Sequence, residues 1–251
     1  MLSADLSTKS VLISGGASGI GLSTARLFAR MGAQVAINDI SEDSLSDAVD
    51  QIRADGGNAI SVAGNVGDPD EAKQVVEASL EAFGRLDYLV NNAGTARTDE
   101  PIPPRDLGGV DEEMWCDILS VNLVGPFRMT KAAAEALRAA KGAVVNVAST
   151  AAYGYPGSSV AYAASKAGLL NLTTNLARAL APQARVNGVA PGLIRTPWTA
   201  RFGPEWEART VGLTALQRPG TPEDVAEAIL FLCAGAGYVT GQTIRIDGGL
   251  T

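Results

Sequence analysis

Histidine is absent from all 251 residues of the chain. With it go the Ser-His-Asp and Cys-His triads, imidazole general bases and most zinc sites. Any chemistry must then fall to Tyr, Lys, Asp, Glu, Ser or Asn, or to a bound cofactor. Cysteine is almost missing too. Cys116 and Cys233 are the only two, too few for a metal cluster or a disulfide framework, and we read both as buried free thiols. Basic charge is in deficit, with 20 Lys and Arg against 27 Asp and Glu. No basic face is therefore expected for nucleic acid or an anionic membrane. Long apolar runs are lacking as well. The stretch from Ala228 to Val239 contains two glycines and is too short to span a bilayer. Met1-Leu2-Ser3-Ala4-Asp5 has neither a cationic start nor an apolar core, so no secretory leader is expected and the cytoplasm is the default location.

What is present is 46% hydrophobic and 19% charged, which fits a single globular domain over residues 1–251. Short apolar, β-branched runs predict strands at Ser10–Ser14, Gln34–Asp39, Asn58–Asn65, Leu86–Asn91, Gly142–Ser149, Ala184–Ala190 and Gln242–Asp247. Helical periodicity fills the gaps at Ile20–Met31, Glu42–Ala54, Asp70–Phe83, Glu112–Ala140, Ser159–Leu180 and Pro222–Cys233. In the first of these, Ile20, Ser23/Thr24, Leu27/Phe28 and Met31 form one largely apolar stripe. Buried strands with helical crossovers imply an α/β fold. We expect a doubly wound (Rossmann), predominantly parallel seven-stranded sheet with helices on both faces. Thr95–Asp111 and Thr196–Gly220 are the longest irregular stretches, and loops of such length are usually functional. The second is the expected substrate lid, residues 196–220.

Strand Ser10–Ser14 runs directly into Gly15-Gly16-Ala17-Ser18-Gly19-Ile20-Gly21 and then a helix. Glycine allows a tight turn and close backbone approach to a pyrophosphate, while the helix start offers free N–H donors. A glycine-rich turn alone fits any strand-to-helix loop. Its meaning sharpens with Asp39, which ends the second strand eighteen positions after Gly21. There a carboxylate can accept from a ribose hydroxyl pair, although a surface Asp opening a turn would look the same. A 2′-phosphate beside it would cost roughly 4 kcal/mol per charge pair at about 4 Å and an effective dielectric near 20. No Lys or Arg lies in the glycine turn or beside Asp39 to offset this. NAD is expected over NADP.

Tyr162 and Lys166 stand four apart in an Ala-rich helical segment, so both leave one face. Free tyrosine is a poor base at neutral pH. An ammonium within ~4–6 Å, aided by an oxidised nicotinamide, would lower it by about 1–3 units. Such a pair also occurs on ordinary solvated helices. Ser149, however, ends the strand Gly142–Ser149 thirteen residues earlier, where a doubly wound fold puts its chemistry. Its hydroxyl can donate to a carbonyl oxygen as charge develops. Asn122, between Val121 and Leu123, is a buried amide that needs partners. It either bends its helix or holds a water linked to Lys166.

At these residues the chain resembles the short-chain dehydrogenase/reductase family in its short-subunit branch. The likeness runs from Ser10 to Gly249. The family's Thr-Gly-x-x-x-Gly-x-Gly turn is Ser14 to Gly21 here, and its Asn-Asn-Ala-Gly motif is Asn91-Asn92-Ala93-Gly94. Its tetrad falls on Asn122, Ser149, Tyr162 and Lys166. Its Pro-Gly motif is Pro191-Gly192, followed by Ile194 and Thr196, and Asp247-Gly248-Gly249 closes the pattern. The resemblance implies hydride transfer between a secondary alcohol and NAD, with Tyr162 as acid in reduction and base in oxidation. Ser149 would polarise the carbonyl, Lys166 would hold the ribose and tune Tyr162, and Asn122 would support a proton relay. It implies cofactor contacts from Gly15, Ser18, Gly19, Ile20, Gly21, Asp39, Asn65, Val66, Asn92, Ala93, Gly94, Tyr162, Lys166, Pro191, Gly192, Ile194 and Thr196. It also implies a homodimer or homotetramer built on the two long central helices. Two positions depart from the pattern. Ser14 replaces Thr but keeps the hydroxyl, and Asn65 replaces an Asp expected near the adenine amine.

Three other readings compete: an NADPH-linked ketone or 3-oxoacyl reductase, a sugar-nucleotide epimerase of the longer branch, and a non-enzymatic nucleotide sensor. Asp39 opposes the first, the glycine spacing and short length oppose the second, and the complete tetrad opposes the third. The substrate, a small alcohol or ketone, stays undefined. Trp198, Phe202, Trp206 and Leu213 suggest an apolar lid lining, whereas Arg195, Arg201, Glu205 and Glu207 would suit a polar or acidic group. Tyr153, Tyr155 and Thr95–Arg97 are further candidates for the cavity wall.

Overall fold

The computed structural model describes residues 4–155 and 157–250. Residues 1–3, where part of the reading on a secretory leader rests, lie outside the described residues. Seven strands form one sheet in the order β3-β2-β1-β4-β5-β6-β7, and every pairing is parallel. They are β1 Ser10–Ser14, β2 Gln34–Asp39, β3 Asn58–Ala63, β4 Tyr88–Asn91, β5 Ala143–Val147, β6 Arg185–Pro191 and β7 Thr243–Ile246. Strand direction of travel across the sheet reverses between β1 and β4. A crevice opens at the carboxyl ends of these two strands. This is the doubly wound fold expected from the sequence.

Alternation along each central strand divides the apolar residues between two layers. Val11 and Ile13 of β1 and Val35 and Ile37 of β2 face one side. There they meet α1 (Gly19–Arg30), α2 (Glu42–Ala54) and α9 (Pro222–Leu230). Leu12, Ala36, Leu89 and Val144 face the other side. They pack on α3 (Pro69–Phe83), α5 (Gly125–Ala140) and α6 (Val160–Leu180). Phe28 of α1 is fully buried and meets Tyr88 edge-on with centroids 5.9 Å apart. The stripe read in α1 buries Ser23, Thr24, Leu27 and Phe28. Burying a side chain such as Phe28 stabilises by about 2–3 kcal/mol. Among the described residues, no helix is long and apolar enough to cross a membrane.

Three local readings need correction. The single helix expected over Glu112–Ala140 is α4 (Glu112–Leu119), a π turn (Ser120–Val124) and then α5. Gly125-Pro126 follows the turn, and proline lacks the N–H that a regular helix would use there. The stretch Thr196–Gly220 is not irregular throughout. It contains α7 (Pro197–Ala200) and α8 (Pro204–Val211), each opened by a proline. Finally, Cys116 is exposed while Cys233 is buried. Helix α4 buries Met114 and Ile118, one turn apart, so Cys116 between them points outward.

Candidate active site

The glycine turn after β1 has the shape its residues allow. Gly15 and Gly19 take left-handed backbone angles, φ +62 and +51, which side chains other than glycine rarely adopt. At Gly21 a Cβ would lie 2.1 Å from the Gly15 carbonyl oxygen. Only glycine lets α1 start this close to the turn. The Ser14 hydroxyl accepts from the Asn92 and Ala93 N–H groups, each at 3.1 Å. It therefore does the tying that a threonine hydroxyl would do. The Asn92 amide donates to the Ser14 and Gly15 carbonyls at 3.1 and 2.8 Å. The ends of β1 and β4 are thus locked together beneath the turn.

Asp39 closes this end. Its carboxylate accepts from the Ala17 N–H at 3.4 Å and the Ile40 N–H at 2.8 Å. Both donors are backbone groups of the turn and of the strand end, and among the described residues no cation pairs with it. Asn65 is less open than expected. Its amide oxygen already accepts from the Gly67 N–H at 2.8 Å, and its own N–H donates to Glu71 at 2.7 Å. Val66 beside it is buried.

The second half of the site comes from β5 and α6. Ser149 follows β5 and caps a short 3-10 turn (Thr150–Tyr153), accepting from the Ala151 N–H at 3.2 Å. Ser159 caps α6 by accepting from the Tyr162 N–H at 3.1 Å, which fixes where the Tyr162 ring leaves the helix. The Tyr162 and Ser149 side chains line the same stretch of cavity wall. Lys166, one turn further, is buried and donates from Nζ to the Val147 carbonyl at 2.9 Å. Its Nζ lies 5.7 Å from the Tyr162 ring centroid.

Burial dominates the electrostatics of this cluster. It pushes the Tyr162 phenol up from its ordinary range, and the Ser149 hydroxyl pulls it partly back. Burial also holds the Lys166 ammonium down to about 8. The lowering expected of the ammonium is tied to an oxidised nicotinamide beside it, and the protein's own groups by themselves set the phenol higher.

Asn122 is placed differently from a water-holding amide. It lies in the π turn, fully buried. Its oxygen accepts from the Thr95 N–H at 2.8 Å, and its nitrogen donates to the Thr95 carbonyl at 3.0 Å and the Ser165 hydroxyl at 3.1 Å. Ser165 in turn donates to the Tyr162 carbonyl at 2.7 Å. Asn122 thus ties the loop after β4 to the helix that carries Tyr162. Gly94 sits between it and Lys166. A Cβ there would be 3.4 Å from Asn122 Oδ1 and 3.5 Å from Lys166 Nζ.

These pieces line one cavity of about 780 Å³. Of the expected cofactor contacts, Gly15, Ser18, Gly19, Ile20, Asp39, Asn65, Val66, Asn92, Ala93, Gly94, Tyr162, Lys166, Pro191, Gly192, Ile194 and Thr196 line it, as does Ser149. Gly21 does not, because it serves helix–turn packing, and Asn122 does not either. Dimensions and donors suit a dinucleotide. The glycine cradle would face its phosphates, Asp39 its adenosine ribose, and Thr196, which caps α7, its nicotinamide end.

The stretch 196–220 contributes Trp198, Phe202, Trp206 and Leu213 to the wall. Trp198 stands 6.1 Å from Tyr162 between ring centroids, and Phe202 5.0 Å from Trp206. The charged candidates are engaged elsewhere or do not reach the wall. Arg195 pairs with Glu207, while Arg201 pairs with Asp99 and stacks on Trp198. Glu205 is not in the cavity wall. Tyr155 lines it, whereas Tyr153 lies under Arg245 and Thr95–Arg97 stay outside. Arg209 was missed. It belongs to α8, a helix hidden by reading that stretch as irregular.

Comparison with known proteins agrees with this geometry. A family model described as enoyl-(acyl carrier protein) reductase matches residues 15–251. A 3-oxoacyl-(acyl-carrier-protein) reductase of Thermotoga maritima is 42% identical over 98% of this chain and 98% of its own. One of Staphylococcus aureus is 38% identical over 97% and 98%. A solved short-chain dehydrogenase/reductase from Brucella melitensis, of the glucose/ribitol dehydrogenase kind, superimposes with a TM-score of 0.92 at 31% identity, covering 100% of this chain and 99% of that one. With the cradle, the Ser149–Tyr162–Lys166 cluster and these likenesses together, the chain belongs to the short-chain dehydrogenase/reductase family of nicotinamide-dependent oxidoreductases.

Proposed function

We propose that the chain interconverts a secondary alcohol and a ketone with NAD as its cofactor, working as one unit in which residues 196–220 form the substrate lid. The observation that carries this reading is the gathering of Ser149, Tyr162 and Lys166 in the same cavity as the glycine cradle and Asp39. In reduction, a hydride adds to the carbonyl carbon and the Tyr162 hydroxyl gives its proton to the oxygen. Oxidation reverses both transfers. The nicotinamide, when bound, supplies or accepts the hydride, and its positive oxidised ring favours the phenolate that burial alone opposes. Ser149 donates to the carbonyl oxygen as charge gathers there. Lys166 would hold the ribose, and Asn122 holds Tyr162 in position through Ser165.

NAD is preferred because Asp39 meets only backbone N–H donors. A 2′-phosphate would sit against an uncompensated carboxylate. The names of the relatives favour a second reading, reduction of a 3-oxoacyl thioester, which the notion of an NADPH-linked reductase anticipates. Comparing NADH with NADPH, and an acetoacetyl thioester with simple ketones, separates the two. A non-enzymatic sensor would bind the dinucleotide without turnover. Exposed Val124 and Phe127 near and on α5 support assembly of copies along the central helices.

The test is loss or gain of NADH absorbance with a panel of ketones and alcohols. Tyr162→Phe should lower kcat by about 100-fold or more. Undiminished turnover in that variant would remove Tyr162 from the chemistry.

A further inference from the structure

Among the described residues, three charged side chains line the cavity: Asp39, Lys166 and Arg209. The first two belong to the cofactor side. Arg209 stands in the lid, on α8, one turn after Trp206 and beside Thr210, which also line the wall. It is exposed, and among the described residues its side chain makes no ion pair or hydrogen bond. The other arginines in and beside this stretch are paired. Arg195 is held by Glu207, Arg201 by Asp99, and Arg218 by Asp224 at 2.7 Å. Glu205, one turn before Arg209, does not pair with it. Trp198, Phe202, Trp206 and Leu213 supply an apolar surround. A guanidinium with low-dielectric walls attracts an anion more strongly than one in open water, and its planar fork matches carboxylate or phosphate.

We propose that Arg209 is a specificity-determining residue that receives an anionic group, carboxylate or phosphate, carried by the ketone or alcohol entering this cavity. The inference rests on the reading of the cavity as an alcohol/ketone site. It narrows the substrate class to hydroxy or oxo acids and their phosphorylated counterparts.

The experiment uses the full chain with NADH, as wild type, Arg209→Gln and Arg209→Lys. Acetoacetate and levulinate are compared with their methyl esters, and dihydroxyacetone phosphate with dihydroxyacetone. Turnover gives kcat/KM, and calorimetry on the enzyme–NADH complex gives binding without turnover. The wild type should favour at least one anion over its neutral partner. Arg209→Gln should cut that preference about tenfold or more, through KM, and Arg209→Lys should restore part of it. The carboxylate and phosphate arms identify which anion is read. Absence of any anion preference in the wild type, or a preference that survives Arg209→Gln, overturns the proposal. A weakened NADH affinity in Arg209→Gln also overturns it, since Arg209 would then serve the cofactor phosphates. Arg209-dependent binding without reduction of any probe would refute the activity and leave the anion site standing. Reduction with no anion preference would do the reverse.

Discussion

Lys166 is an ammonium with about 4% of its surface exposed, held by a single carbonyl. Its pKa falls from the ordinary 10.5 to about 8 because burial penalises the charge. Below pH 8 both the folded and unfolded chains carry the proton, and the full penalty applies. Between pH 8 and 10.5 the unfolded chain still binds that proton while the folded chain has released it. Stability therefore rises with pH in this window. Lys166→Met lacks the titration. The unfolding free energy of the wild type should gain on that of the variant by about 3 kcal/mol from pH 8 to 10.5, read from denaturant curves at each pH. A gap that stays constant would mean that the ammonium is solvated after all. The same residue faces the proposed ribose, so part of the cost of holding it there is offset only when the cofactor is in place.

Elements carry the next level of control. The π turn at Ser120–Val124 brings Asn122 inward, where it satisfies both backbone groups of Thr95 and reaches α6 through Ser165. Asn122→Ala would leave the Thr95 N–H and carbonyl without these partners. We expect a stability loss of about 2 kcal/mol or more, together with a fall in kcat larger than any change in the NADH Kd. Thermal unfolding and cofactor titration check the two parts, and a variant with unaltered kcat would detach this tie from Tyr162. The tie also shows what the sequence could express. Apolar, β-branched runs located all seven strands, and helical periodicity located α1, α2, α3, α6 and α9, because a helical stripe reports burial on one face. The periodicity ran through the π turn because a single wide turn has no sequence signal of its own beyond the Gly125-Pro126 that follows it. In the lid, Pro197 and Pro204 read as loop residues, yet both occupy the first turn of a helix, with the Thr196–Thr199 capping box ahead of the first. Pro at N1 and a Thr cap were the signals available there. The residues of the cradle and of the Ser149–Tyr162–Lys166 cluster were legible from motif and order. Missing from the sequence were the direction of the phenol shift, which depends on how deeply three dimensions bury it, and the position of Arg209, which depends on α8 existing at all.

At the scale of the whole molecule, one parallel sheet joins a glycine cradle after β1 to the Ser149–Tyr162–Lys166 cluster after β5 and on α6, and a single cavity crosses both. A ligand that spans this cavity binds the folded chain and not the unfolded one, so it must raise the unfolding temperature by mass action. At a hundredfold excess over its Kd the gain is about 2.7 kcal/mol. For a chain of this length each kcal/mol moves the midpoint by about 2–4 °C. NADH should therefore raise the midpoint by roughly 5–10 °C. NADPH at the same concentration should do much less, because its 2′-phosphate meets the Asp39 carboxylate with no cation alongside. In Asp39→Ala the repulsion goes and the ribose acceptor goes with it. The NADH shift should shrink, the NADPH shift should grow, and the order of the two should approach parity or invert. Equal shifts in the wild type, or an unchanged order in the variant, would show that the cavity reads the adenosine end through groups other than Asp39.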